Sequence, residues 1–247
     1  MKLSGNTILI TGGGSGIGRG LAEALQQLGN QVVIAGRRQT ALNETVNANP
    51  GMHSAVLDVR DADSVRRFAE EITVRFPTLN VLINNAGIMR AETFPANSLT
   101  DAEAIIATNL LGPIRLISAV LPHLGKQTRA TIMNVSSGLA FVPMVITPTY
   151  CATKAAIHSY TQSLRFQLKK TNIEVLELIP PYVATDLMGG KSDPRAMPLD
   201  KYIAEVMNIL KTQPTPAEIC VAGVQRLRCA AEGGSYDAIF QGLNSGA

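Results

Sequence analysis

Ser137, Tyr150 and Lys154 stand in the arrangement Ser-x12-Tyr-x3-Lys, and together their side chains fit one reaction. From Thr149 onward the sequence turns to helix formers, which puts Tyr150 and Lys154 at i and i+4 on one helix face. A free tyrosine, with a pKa of about 10, is a poor proton shuttle at neutral pH; a neighbouring ammonium favours its phenolate. Ser137 follows the apolar run 130–136, which reads as a buried strand. Its hydroxyl is therefore expected at the strand's carboxyl end, where open α/β sheets bind ligands. A serine holding a carbonyl oxygen, a tyrosine passing it a proton and a lysine tuning the tyrosine would reduce a ketone or aldehyde, or run the reverse, given a hydride donor. Taken alone, Tyr-x3-Lys reads equally well as an ordinary helix pair beside a turn serine.

The N-terminus offers a place for that donor. Thr7–Thr11 is a β-branched run, followed by Gly12, Gly13, Gly14, Ser15, Gly16, Ile17 and Gly18, then by a helical pattern carrying Leu21, Leu25 and Leu28 inward. Strand, glycine turn and helix in that order let backbone approach a pyrophosphate, with unpaired N–H groups and positive dipole at the helix start. The second strand, Gln31–Ala35, ends at Gly36-Arg37-Arg38. An NAD-preferring site places an acid there for the ribose 2′-hydroxyl; Gly36 has no carboxylate, and Arg37, helped by Arg38, is suited to a 2′-phosphate. NADP(H) is accordingly expected over NAD(H), although Ser15 supplies no second cation. The alternative is that both arginines cover a solvated turn.

Further strands are expected at His53–Val59, which ends in Asp58 and Val59, and at Val81–Ile83, which runs into Asn84-Asn85-Ala86-Gly87; a sixth follows at Ile173–Ile179. Thr100 with Glu103 reads as a capping box opening a long helix. Inside it, Pro113 deprives the Asn109 carbonyl of its helical partner, so a kink is expected there. Residues 186–199, broken by Gly189, Gly190, Pro194 and Pro198, are expected to form a mobile lid. Leu187, Met188 and Met197 would then close an apolar pocket with Leu139, Phe141, Val142, Met144 and Tyr182. Thr215-Pro216-Ala217-Glu218 reads as a helix start, leaving residues 233–240 for a degenerate seventh strand.

The 247 residues contain no linker, repeat or low-complexity tract, so one α/β domain over 1–247 is expected. A net charge of +3 with scattered basic residues gives no footprint for nucleic acid or a membrane surface. Cys151, Cys220 and Cys229 form no CxxC pair and suggest a reducing compartment. With no signal peptide and no apolar run near the roughly 20 residues of a membrane span, a cytoplasmic protein is expected.

Thr11-Gly12-x3-Gly16-x-Gly18, Asn84-Asn85-Ala86-Gly87, Asn109, Ser137, Tyr150 and Lys154 occur in the order that resembles the classical short-chain dehydrogenases/reductases. The resemblance implies a doubly wound Rossmann domain with strand order 3-2-1-4-5-6-7 and helices on both faces. It implies that Asp58 bonds the adenine amino group, Val59 packs on the ring, and Asn85, Ala86 and Gly87 lie beside the cofactor. Read from residues alone, Asp58 is also a candidate helix cap. The Asn109 main chain would bind a water on a proton relay through Lys154, which also contacts the nicotinamide ribose. Pro180, Val183 and Thr185 would hold the nicotinamide carboxamide, with Pro181 replacing the family's usual glycine. Residues 178–187 are similar to the branch named for teichoic-acid D-alanylation operons. A homodimer or homotetramer through the helices of Asn109 and Tyr150 is implied as well. The competing readings are an NADPH sensor without turnover and a methyltransferase.

Overall fold

Short runs of β-branched and aliphatic residues without polar alternation call for strands buried on both faces. The computed structural model describes residues 1–93, 99–213 and 215–245; the side chains of Met188 and Lys191 also lie outside the described residues. The strands are β1 (Thr7–Thr11), β2 (Gln31–Gly36), β3 (His53–Val56), β4 (Leu79–Asn84), β5 (Ala130–Val135), β6 (Ile173–Ile179) and β7 (Glu218–Cys220). They form one sheet in the order β3-β2-β1-β4-β5-β6-β7, every pair parallel. The order reverses between β1 and β4, which opens a crevice at the carboxyl ends of the strands.

The helices are α1 (Gly16–Gln27), α2 (Gln39–Ala48), α3 (Ala62–Arg75), α4 (Leu99–Ile106), α5 (Gly112–Leu124), α6 (Pro148–Leu168), α7 (Leu199–Thr212), α8 (Gln225–Arg228) and α9 (Tyr236–Asn244). Alternation along the strands divides the core in two. Ile8, Ile10, Ile34 and Ile83 pack with Leu21, Leu25, Tyr202 and Val206 of α1 and α7. Leu9, Val33, Leu82 and Ile132 pack on the other face with Phe68, Ile72, Leu116 and Val120 of α3 and α5.

Between α4 and α5 the helix widens into a π turn, Ala107–Leu111, at the place where Pro113 removes a donor. The continuous helix from Leu99 to Leu124, 26 residues, is long and apolar enough to cross a membrane, contrary to the sequence expectation. Its α5 half packs as a core helix instead, burying Leu116, Ile117, Val120 and Leu124.

Four local readings are corrected. Glu218 starts no helix: Ile219 is fully buried and pairs with Leu178, so the edge of β6 captures this segment as β7 despite its capping signal. The tail forms no strand, because α9 turns Ile239 onto Val142 and Ala230. Thr100 lies inside α4, which begins at Leu99, and β3 stops at Val56, short of Asp58.

Candidate active site

Helix α6 carries two of the three proposed reactive groups. Pro148 starts it, and a distant acid caps it: Glu92, buried after β4, accepts bonds from the Thr149 N–H (3.0 Å) and Thr149 Oγ1 (2.7 Å). Tyr150 then lies near Ser137, whose hydroxyl favours the ionised phenol. Ser137 itself is fixed at the start of a short helical turn, its Oγ accepting from the Leu139 N–H at 3.1 Å. One turn beyond Tyr150, Lys154 donates to the Val135 carbonyl at 2.8 Å, with its Nζ 5.5 Å from the centre of the Tyr150 ring. The three polar tips therefore gather at the carboxyl end of β5.

Gly87 shows where Asn109 meets them. A Cβ at Gly87 would stand 3.4 Å from Asn109 Oδ1 and 3.8 Å from Lys154 Nζ. The Asn109 side chain brackets Ile88, accepting from its N–H and donating to its carbonyl, both at 2.9 Å. Its amide also reaches Thr153 Oγ1 at 3.3 Å, and that hydroxyl donates to the Tyr150 carbonyl at 2.7 Å.

One electrostatic expectation is reversed. Burial pushes the Tyr150 phenol up to about 12, and the Ser137 hydroxyl only partly opposes it. Burial also brings Lys154 down to about 8, against the pull of the Glu177 carboxylate. Desolvation is the largest influence on each group and sets the direction of both shifts.

The glycine turn is shaped around Asn85. Its Nδ2 donates to the Thr11 carbonyl at 3.0 Å, and the N–H groups of Asn85 and Ala86 both donate to Thr11 Oγ1 at 3.0 Å, fastening the ends of β4 and β1 together. A Cβ on Gly18 would sit 2.4 Å from that Nδ2, and Gly12 has a φ of 68°. A Cβ on Gly14 would stand 3.2 Å from the backbone of Ala41, and one on Gly16 would face the buried Thr185. Ile17 packs inward on the α1 and α7 core. Helix α1 begins with no acid in its first turn, and Ser15 makes no capping bond with its side chain. Its N-terminus is thus bare, electropositive backbone, which fits the pyrophosphate of a nicotinamide dinucleotide.

Around this turn Arg38 reaches Ser15 Oγ at 3.4 Å, and Arg37 is exposed at the β2 end. Asp58 is held by Arg60 (2.6 Å), which keeps its carboxyl below the usual value; the capping role belongs to Asp61, which accepts from the Asp63 N–H at 2.9 Å. Val59 is buried against Gly112. The Pro180 carbonyl accepts from the Gly138 N–H at 2.9 Å, tying the β6 loop to the turn of Ser137. Val183 bridges to Met197, so residues 184–196 leave and rejoin the fold at one point. Pro181 rests near Gly223.

Part of the expected apolar pocket is assembled. Leu139 and Met144 cluster with Tyr150 and with Ile88, Met89 and Ile105, which sequence reasoning did not single out. Phe141 and Val142 do not line it. The Phe141 ring packs on His158 (4.7 Å) with Arg228 over its face (4.8 Å), and Val142 is buried under α9. Tyr182 and Leu187 are exposed at the rim, the Tyr182 hydroxyl donating to Asp193 at 3.2 Å. The Met188 side chain lies outside the described residues.

The sheet is a doubly wound α/β sheet with its crevice at the carboxyl ends of the strands. The chain belongs to the short chain dehydrogenase family, whose pattern it matches over residues 6–196. It is 39% identical over 253 residues to "Uncharacterized oxidoreductase DltE" of Bacillus subtilis (strain 168), covering 99% of both chains. That relative carries the name of the branch that residues 178–187 resemble. Among solved structures it is similar to serine dehydrogenase in a closed form with NADP+ (TM-score 0.77, 26% identity, 86% of this chain and 92% of that one). It is also similar to a 3-ketoacyl-(acyl-carrier-protein) reductase from Brucella melitensis with NADH (TM-score 0.78, 26% identity, 87% and 93%). As a member of this family the protein is an oxidoreductase acting on CH–OH or carbonyl groups.

Proposed function

We propose that the protein is an NADP(H)-dependent reductase of a small ketone or aldehyde. The observation that carries this reading is the meeting of Ser137, Tyr150 and Lys154 beside a bare helix N-terminus at the sheet's switch point. The glycine turn, Asp58, Val59, Asn85, Thr185 and the backbone at Val183 would hold the dinucleotide, with Arg37 and Arg38 toward a 2′-phosphate. Bound there, the dinucleotide supplies the hydride to the carbonyl carbon. Ser137 donates a hydrogen bond to the substrate oxygen, and Tyr150 Oη delivers the proton that turns it into the alcohol. A phenol near 12 stays protonated until the developing alkoxide takes its proton, which suits the reducing direction. Lys154 holds positive charge beside the phenolate left behind, and Asn109 fixes the helix segment facing it. Residues 186–199 form the lid over Leu139, Met144 and the nicotinamide end. The working form is a homodimer or homotetramer with no nucleic-acid or membrane partner.

The test is a cofactor-depletion screen over ketones, aldehydes and secondary alcohols with NADPH and NADH. Turnover with NADPH is expected, and Tyr150→Phe should abolish it while leaving NADPH binding by fluorescence unchanged. Tight binding with no turnover on any carbonyl would replace the reductase with a sensor.

A further inference from the structure

Behind the wall that carries Ser137 lies a second row of polar groups that no step above uses. Glu177 is fully buried on β6, a strand otherwise packed with aliphatic residues at its centre. Ser136, the residue before Ser137, donates to it at 2.5 Å, and His158 Nδ1 stands 2.9 and 3.0 Å from its two oxygens. His158 follows Lys154 by four residues on α6, so Tyr150, Lys154 and His158 run down one helix face. Two rows result: Ser137, Tyr150 and Lys154 in front, Ser136, His158 and Glu177 behind.

A carboxylate taken out of water needs a compensating charge. Among the described residues, the groups facing Glu177 are these. On α6 stand His158 and Lys154, whose ammonium is favoured by the Glu177 charge. On β7, Glu218 brings a carboxylate oxygen within 4.8 Å of the Glu177 and His158 atoms, but Arg228 of α8 holds that acid at 2.7 Å and also binds Glu232 at 2.9 Å. Cys220 on β7 is pushed up to about 12 by burial and stays a neutral thiol. Glu218 is thus balanced by its own arginine. Lys154 Nζ binds the carbonyl of Val135, the residue before the Ser136 that donates to Glu177, so the Glu177 charge stands one residue behind the ammonium's own anchor.

We propose that Glu177 is a positioning residue of the active site: its buried carboxylate, fixed by Ser136 and His158, is the counter-charge that keeps Lys154 an ammonium. The inference rests on the reading of Lys154 as part of the reducing set. Lys154 loses its proton near pH 8, so a rate that needs its ammonium falls as pH rises through that value. Without the Glu177 charge the fall comes earlier.

The experiment follows the Lys154 Nζ directly in protein labelled with 15N-lysine, assigned with Lys154→Arg, in the wild type and in Glu177→Gln. The Lys154 titration is expected to drop by on the order of one pH unit in Glu177→Gln. The alkaline limb of kcat/KM should move by the same amount, and Glu177→Asp should restore most of it. An unmoved Nζ titration overturns the proposal whether or not the protein reduces a carbonyl. A shifted titration in a protein without turnover upholds the charge pairing and sinks the reductase reading. If Glu177→Gln fails to fold, Glu177→Met, which removes the charge and keeps a side chain of similar volume, decides on the same readout: a lowered Lys154 titration is expected, and an unmoved one overturns the proposal.

Discussion

Arg37 is the side chain on which cofactor choice turns. A charge-assisted pair with a 2′-phosphate is worth enough that Arg37→Ala should raise the KM for NADPH roughly ten- to hundredfold while leaving that for NADH near its starting value. Steady-state kinetics with both dinucleotides checks it, and equal losses for the two would place Arg37 on a mere surface turn. At this scale the sequence was informative wherever spacing alone decides geometry. Tyr150 and Lys154 share a helix face because four residues make about one turn, and Asn85 follows a strand that could end nowhere else. It was silent where a role depends on a distant contact. Glu92 caps α6 across 57 residues, and Glu177 meets Ser136 across 41, with no local pattern announcing either. The Tyr150 phenol was misread for the same reason, since its burial is a property of the assembled fold.

Among the elements, α9 has the clearest bearing on the site. Asn244 near its end accepts from the Val145 N–H at 2.8 Å and donates to the Pro143 carbonyl at 3.1 Å, so it clamps the loop that sets Met144 against Tyr150. Asn244→Ala should therefore raise the KM for carbonyl substrates several-fold, with the NADPH dissociation constant unchanged. Isothermal titration alongside kinetics separates this from general destabilisation, which would weaken both. Strands β1, β2, β4, β5 and β6 were legible because buried runs have few other uses, whereas β3 has no buried residue and was read too long. β7 was not legible: a three-residue edge strand carries too little pattern to compete with a proline and an acid that spell a helix start, and only the open edge of β6 decides the matter. Phe141 shows the same limit within a loop, where residue type gives apolarity and no direction.

For the molecule as a whole, the order of the sheet followed from the resemblance to a known family, and the parallel pairing agrees with strands separated by helices. What lies outside the sheet concerns assembly. Leu99 (71% exposed), Ile106, Leu111 and, on α6, Phe166 (67%) leave apolar area on the helices that flank the site. Sedimentation at micromolar concentration is expected to give the mass of a dimer or tetramer, and Phe166→Asp with Leu111→Asp to shift it toward the monomer. A wild type that sediments as one chain would remove the assembly from the proposal. The Val145 to Asn244 contact joins positions 99 residues apart, whereas β1 pairs with β2 across 24 and Thr7 of β1 with Leu79 of β4 across 72. Contacts of long sequence separation form late. During folding the nascent crevice is thus ready to retain a nucleotide while the vestibule that discriminates among substrates is still open, and discrimination is acquired last.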